Sequence, residues 1–170
     1  MRRNVEVKAR VADLSAIRRR AEALSDGPCE VLDQDDTFFR VPEGRLKLRV
    51  LGSGRAELIT YRRADRAGPG ESHYLIASAD RPAALREVLS SALGAIGTVR
   101  KRRTVFRAGQ VRIHLDEVEG LGDFVELEVV LREGQPVDQG KKIARSFMEK
   151  LGICEADLVE GAYLDLPRKP

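Results

Sequence analysis

The sequence has no tryptophan, two cysteines and only 5% aromatic residues. Cys29 and Cys154 lie far apart and form no CxxC pair, so the chain offers neither a disulfide framework nor a cysteine zinc site. We interpret them as ordinary thiols in a reducing compartment. No stretch shows the aromatic spacing of a base-stacking platform, and this scarcity argues against a nucleic-acid partner.

Long hydrophobic runs are also missing. No apolar segment is long enough to span a bilayer, and no apolar stretch follows the arginines near the N-terminus. We therefore expect a soluble, cytoplasmic protein without a membrane partner. The 15 glycines and seven prolines are scattered, and no low-complexity linker divides the 170 residues, which predicts a single domain over 1–170. The glycine-containing stretch 64–72 is expected to be a mobile loop.

Charge is abundant but balanced. Charged residues make up 34% of the chain, yet the net charge is only +3, so net charge by itself does not indicate a nucleic-acid ligand. What carries information is the position of each charge along the predicted strands.

Several segments alternate between apolar and charged residues with a period of two, as strands do. The opening RNVEVKAR puts Val5 and Val7 on one side and Asn4, Glu6, Lys8 and Arg10 on the other. Glu126 and Glu128 share one side of a later segment, and its valines and leucines share the other. The predicted strands after the opening one are 46–50, 56–62, 99–106, 111–118 and 124–131, and the last of these contains Glu126 and Glu128.

Between the strands, apolar spacing of three and four residues predicts helices over 13–24, 82–93 and 137–151, while 155–164 is left as helical or irregular. Amphipathic helices and strands must cover each other's apolar faces. The economical arrangement is α+β, with helices on the outside of a curved antiparallel sheet and the charged residues on its concave side.

Such a concave side would gather many bases, which repel one another unless they are paired or bound to a ligand. Arginine and lysine match phosphate oxygens, and paired carboxylates suit Mg²⁺ or Mn²⁺. A tunnel holding a metal-bound polyphosphate satisfies both demands. Two other interpretations stay open, namely half-buried strands with solvated outer faces and a basic sheet that binds RNA. The bases expected to converge are Lys8, Arg45, Lys47, Arg49, Arg62, Lys101, Arg103 and Arg112.

The order of these segments resembles the CYTH superfamily, which includes class IV adenylyl cyclases, thiamine triphosphatases and inorganic triphosphatases. NVEVK resembles the family's ExExK signature, DTFF its second-strand DTYF segment, and LKLR its LRxR-type strand. ELITYRR and RKRR resemble two later basic strands, and RIHLDEVEGLG followed by ELE resembles the most recognisable block. The resemblance covers nearly the whole chain and implies an eight-stranded antiparallel tunnel flanked by helices.

The resemblance also implies roles for individual residues. It assigns Mg²⁺ or Mn²⁺ as the cofactor and a triphosphate-containing small molecule as the partner. The implied metal ligands are Glu6, Glu126 and Glu128; the implied catalytic residues are Lys8, Arg62 and Asp116; the implied substrate contacts are Lys47, Arg49, Lys101, Arg103, Arg112 and His114.

One position departs from the family pattern. Asn4 stands where ExExK has its first glutamate, which keeps an oxygen ligand but removes a negative charge. We expect weaker metal binding there, or one ion instead of two.

Four functions are left open by the sequence. The resemblance puts an adenylyl cyclase first, ahead of a triphosphatase acting on tripolyphosphate, thiamine triphosphate or a nucleotide. A non-catalytic polyphosphate binder and a scaffold for another phosphorylated metabolite are the further alternatives. The sequence does not indicate the oligomeric state, and a homodimer is left open.

Overall fold

The alternating segments belong to eight antiparallel strands that close into a barrel. The computed structural model describes residues 1–65 and 67–167. Around the barrel the order is β1, β5, β4, β3, β2, β6, β7, β8, and β8 pairs again with β1. The strands are β1 (Arg2–Arg10), β2 (Glu30–Phe39), β3 (Arg45–Leu51), β4 (Ala56–Arg63), β5 (Gly70–Ala79), β6 (Ala95–Ala108), β7 (Val111–Val118) and β8 (Gly122–Val130).

Three helices lie outside the barrel, as predicted: α1 (Leu14–Leu24), α2 (Pro82–Leu93) and α3 (Val137–Leu151). The side chain of Asp13 accepts a hydrogen bond from the Ala16 amide at 2.9 Å and so caps α1. Gly152 ends α3 with a φ of 72°, a backbone conformation that glycine adopts without strain. The predicted α+β tunnel with outer helices is therefore confirmed.

The predicted loop 64–72 is shorter in the structure. β5 already begins at Gly70, so residues 70–72 are paired in the barrel, and Arg66 lies outside the described residues. The segment left open at 155–164 contains two short 3₁₀ turns, Glu155–Asp157 and Tyr163–Asp165, joined by irregular chain. The last residues of the predicted 1–170 domain, 168–170, also lie outside the described part.

The main hydrophobic core lies outside the barrel, between the sheet and the pair α1 and α3. Val5, Ile113 and Leu127 point outward from β1, β7 and β8 and are fully buried there. Burying one such side chain contributes about 1.5–3 kcal/mol. Gly140 lets α3 approach closely, because a Cβ at this position would come within 2.8 Å of the Val5 side chain.

Two smaller clusters complete the packing. Under α2, Phe39 and Leu48 on the outer sheet face contact Leu85 and Leu89. A second cluster, built from Phe38, Val99, Val118, Leu121, Phe124 and Tyr163, fills one end of the barrel. Among the described residues, no helix is both long enough and apolar enough to cross a membrane.

Candidate functional site

The charged residues of most strands point into the barrel, because their apolar neighbours are held outward by the helices. They line a cavity of about 550 Å³. The cavity opens at one end of the barrel, where Glu30, Ser53, Arg55 and Arg107 are exposed. The predicted tunnel residues that line it are Glu6, Lys8, Lys47, Arg49, Lys101, Arg103, Arg112, His114, Glu126 and Glu128, and Arg45 lines it as well.

Asp36 organises the bases of β3. Its carboxylate accepts hydrogen bonds from Lys47 Nζ at 2.7 Å and from Arg49 Nε and Nη2 at 2.8 and 2.9 Å. Burial raises the pKa of Asp36, but Arg49 and Lys47 outweigh burial and hold this pKa well below its ordinary range. One anion fixes two cations here, so the group keeps a net positive charge for a ligand.

Asp116 does the same for β6. It is 0% exposed and accepts hydrogen bonds from Lys101 at 3.0 Å, Arg103 at 2.6 Å and the Tyr163 hydroxyl at 2.7 Å. Burial raises its pKa, while Arg103 and Lys101 pull the pKa below the ordinary range of an aspartate. Asp116 thus sits beneath the bases as their counter-ion, with its oxygens already engaged.

Glu126 lies between bases and acids. Arg103 Nη2 donates to Glu126 Oε1 at 3.1 Å, and Lys8 Nζ lies 4.0 Å from Oε2. His114 Nδ1 is 3.2 Å from Oε1. Burial raises the pKa of Glu126, but Arg103 and the His114 hydrogen bond hold it well below the usual value. An ionised carboxylate only accepts hydrogen bonds, so Nδ1 of His114 carries the proton and Nε2 is left available to a ligand.

Glu6 is paired with an arginine that was not among the predicted tunnel residues. Arg63 Nη1 donates to Glu6 Oε1 at 2.6 Å, and Arg63 Nη2 donates to the Gly161 carbonyl at 3.3 Å. Burial raises the pKa of Glu6, and Glu126 adds to this because two carboxylates crowd the same space. A cation among these acids would relieve that repulsion.

The donor set fits a hard divalent cation. One ligand atom from each of His114, Glu126 and Glu128 lies within 4.8 Å of the other two. Asn4 Oδ1 lines the same cavity, is buried, and accepts no hydrogen bond. Carboxylate and amide oxygens are the ligands that Mg²⁺ and Mn²⁺ take. An orphaned buried oxygen costs about 1–3 kcal/mol, a cost that ligation would remove.

The C-terminal segment closes the floor of the cavity. Lys8 Nζ donates to the Gly161 carbonyl at 3.0 Å and lies 4.1 Å from the centre of the Tyr163 ring. Lys101 Nζ lies 4.7 Å from the same ring. These contacts hold two cations at the floor without neutralising them.

Burial lowers the pKa of three lysines in the cavity, Lys8, Lys47 and Lys101. Burial lowers the pKa of Lys8 to about 8, with Arg63 adding to the effect and Glu126 opposing it. Burial and Arg49 lower the pKa of Lys47 to about 8 against the opposing pull of Asp36. Both amines bind phosphate best when they are charged, so their affinity for phosphate depends on pH near neutrality.

The prediction that Arg62 lines the tunnel is wrong. Its side chain is 65% exposed and pairs with Glu43 on the outer surface at 2.9 Å. The inward side chain is the next one, Arg63, which is 6% exposed. The other predicted site residues lie inside the barrel, although Arg112 sits nearer the open end and is 42% exposed. Asp116 lies behind the bases, buried against Lys101 and Arg103.

Sequence reasoning also missed three contributors to the site. Arg63 shares its strand parity with Tyr61, and this parity could have found it. The sequence shows Asp36 only as part of the DTFF strand motif, and its position opposite Arg49 follows once β2 and β3 are paired. Tyr163 carries no local pattern that predicts its place in the floor.

Comparisons with known proteins agree with this architecture. The CYTH domain family model matches residues 2–163. Adenylate cyclase CyaB of Aeromonas hydrophila is 25% identical over 95% of this chain and 87% of its own length. A solved Pyrococcus horikoshii protein is 26% identical, covers 96% of this chain and 98% of itself, and has a TM-score of 0.84. A Vibrio parahaemolyticus structure described as a putative adenylate cyclase has 20% identity, 94% coverage of both chains and a TM-score of 0.77. Because the CYTH domain family model matches nearly the whole chain, and the chain forms a closed barrel with an ionic interior, the chain is a member of the CYTH domain family.

Proposed function

We propose that this chain is a divalent-metal-dependent enzyme that acts on a triphosphate inside the barrel, and that its reaction converts ATP to 3′,5′-cyclic AMP and pyrophosphate. The observation that carries the proposal is the buried arrangement of bases around Asp36 and Asp116 beside the carboxylates Glu126 and Glu128. The name of the Aeromonas hydrophila relative favours cyclisation over other triphosphate chemistry.

The bases would bind the phosphates as a preorganised set. Arg49 and Arg103 each use two nitrogens on an aspartate, which fixes the plane of the guanidinium group. Because these side chains are held before the ligand arrives, little conformational entropy remains to be lost on binding. Lys47, Lys101 and Arg112 would complete the substrate contacts, and Lys8 with Arg63 would meet the phosphate nearest the floor.

The acids would hold the metal. Glu126, Glu128 and His114, with Glu6 and Asn4 beside them, are the residues we assign to it. When bound, the ion supplies Lewis-acid activation and neutralises developing charge.

In the cyclisation, the ribose 3′-oxygen forms a bond to the α-phosphorus while the bond from that phosphorus to the bridging α,β-oxygen breaks. Pyrophosphate leaves with the electron pair of that bond, and the hydroxyl proton passes to water. The charge that gathers on pyrophosphate is stabilised by Arg49, Arg103 and Lys8, whose positions do not need to change during the reaction.

Hydrolysis is the second candidate, and one feature of the cavity favours it. The open end is lined by exposed polar residues such as Ser53 and Arg107, so water reaches the cavity. A structurally similar Hippeastrum protein, 19% identical with a TM-score of 0.65, is described as having a dominant triphosphatase activity. In this version water attacks the terminal phosphorus, and the same bases stabilise the leaving group.

One assay separates the candidates. The purified protein is incubated with ATP, tripolyphosphate or thiamine triphosphate in Mg²⁺ or Mn²⁺, and cyclic AMP, pyrophosphate and orthophosphate are separated. Cyclic AMP with equimolar pyrophosphate supports the cyclase. Orthophosphate without cyclic AMP rejects the cyclase in favour of hydrolysis. The absence of product from every substrate rejects the proposal that the chain is an enzyme acting on triphosphates.

A further inference from the structure

In the described part of the chain, the cavity has one mouth and a closed floor. The mouth is the exposed rim around Ser53 and Arg107, and the opposite end is filled by the cluster that contains Phe38, Phe124 and Tyr163. Each of these three aromatic residues is at most 7% exposed. A ligand that enters at the rim therefore meets the floor and leaves by the same route.

The floor is fastened to the barrel wall at several points. The Tyr163 hydroxyl donates to Asp116 on β7 at 2.7 Å. The Gly161 carbonyl accepts hydrogen bonds from Lys8 on β1 at 3.0 Å and from Arg63 on β4 at 3.3 Å. Breaking such buried contacts leaves polar groups unsatisfied, and this cost favours a floor that stays closed during turnover.

The least exposed bases lie nearest the floor. Lys8 and Lys101 are 5% and 7% exposed, and both amines lie within 4.7 Å of the centre of the Tyr163 ring. Nearer the mouth, the side chains of Arg112 and Arg107 are 42% and 59% exposed. Water and salt screen buried charges least, so the phosphates of a substrate go deepest and its organic group stays on the mouth side.

Cleavage at the α-phosphorus divides such a substrate into a deep and a shallow product. Pyrophosphate lies next to the floor, and cyclic AMP lies between pyrophosphate and the mouth. The eight strands close around both products, so the shallow product blocks the path of the deep one. Pyrophosphate is also held by charge-assisted hydrogen bonds, which are stronger than neutral ones.

We propose that the products leave in a fixed order, cyclic AMP first and pyrophosphate last, because the C-terminal floor closes the cavity at one end. This inference rests on the proposed function, since it presumes a triphosphate whose phosphates lie at the floor. Pyrophosphate is then the product that competes with ATP for the empty site. Sustained turnover therefore requires a second reaction that hydrolyses pyrophosphate. If water attacks the terminal phosphorus instead, orthophosphate is the deep product and leaves last.

Product inhibition measures the order of release. Initial rates are followed with radiolabelled ATP, with either product added and with free Mg²⁺ held constant, because pyrophosphate binds this ion. The last product to leave competes with the substrate, so pyrophosphate at about ten times its inhibition constant should raise the apparent KM about tenfold and leave kcat unchanged. Cyclic AMP leaves first and should lower kcat.

A variant of the floor tests the cause of this order. Tyr163→Ala removes the ring beneath Lys8 and Lys101, so either product can leave first and both should compete with ATP. Leu164→Ala is the matched control in the same turn, since the Leu164 side chain packs against Gly97 of β6. This control should keep the inhibition pattern of the wild type. Circular dichroism checks the fold of both variants.

The wild-type pattern decides the order whether or not Tyr163→Ala folds. Competition by both products, or by cyclic AMP alone, would overturn the fixed order and leave the proposed cyclase standing. An unchanged pattern in a folded Tyr163→Ala would overturn the role of the floor. If the reaction is hydrolysis, competition by orthophosphate alone supports the inference, and any other pattern overturns it. If no triphosphate is consumed, the proposed function fails and the release order fails with it.

Discussion

Arg62 and Arg63 offer a direct comparison between the outside and the inside of the barrel. They are neighbours in β4, yet Arg62 pairs with Glu43 in solvent, while Arg63 pairs with Glu6 inside the cavity. We predict that Arg63→Gln weakens tripolyphosphate binding by about 30-fold, because a charge-assisted hydrogen bond contributes about 2 kcal/mol. Arg62→Gln should change the affinity by less than about twofold.

The same pair should differ in stability. Arg63→Gln leaves the buried carboxylate of Glu6 without its cationic partner, and breaking a buried pair in this way costs about 3 kcal/mol. The side chains of Arg62 and Glu43 are both more than half exposed, so their pair contributes less than about 1 kcal/mol to stability. Calorimetry with tripolyphosphate and urea unfolding measure the two quantities. An equal or larger loss of affinity in Arg62→Gln would refute the assignment of the inner face of β4.

Two further predictions concern single residues of the cavity. Glu126→Gln should lower turnover by at least about 100-fold in either metal, because it removes the negative charge of the proposed metal ligand. Circular dichroism checks that the fold is retained, and Glu117→Gln, at an exposed position, is the control. Unchanged turnover in Glu126→Gln would remove this residue from the mechanism. The pKa of Lys47 is about 8 without a ligand, and phosphate binds the charged form of this lysine. The contribution of Lys47 to tripolyphosphate affinity should therefore fall by about tenfold as the pH rises from about 7 to about 9. Lys47→Arg keeps its charge, so the ratio of wild-type to variant affinity, which cancels the ionisation of the ligand, should fall by that factor; a ratio that does not change with pH would contradict the assigned pKa.

The reversed polarity of the barrel could be predicted from the sequence because β7 and β8 separate their residues sharply. In β8, Glu126 and Glu128 face the cavity while Leu127 is fully buried under the helices. This separation arises because the apolar face is covered by α1 and α3. Where helices cover one face of a strand completely, the alternation of apolar and charged residues shows which side chains face the cavity.

The same pattern failed for β4, for a physical reason. Its outward side chain Leu58 packs near α2, but its inward side chains include Ile59 and Tyr61, so both faces carry apolar residues. The alternation in this strand is therefore ambiguous and does not show whether Arg62 or Arg63 points inward.

The floor of the cavity could not be predicted from local pattern. Tyr163 meets Asp116 across 47 residues of sequence, and Gly161 meets Lys8 across 153. Neither contact leaves a periodic signal, because Gly161 lies in irregular chain and Tyr163 begins a short 3₁₀ turn. Such contacts become visible only when the barrel is closed.

The most direct test of the central claim is a crystal structure of the protein with tripolyphosphate and Mn²⁺. We predict phosphate oxygens within hydrogen-bond distance of Arg49 and Arg103 inside the barrel, with the ion beside Glu126 and Glu128. Tripolyphosphate bound only on the outer surface, with the interior ion pairs to Asp36 and Asp116 unchanged and no ligand beside them, would contradict it.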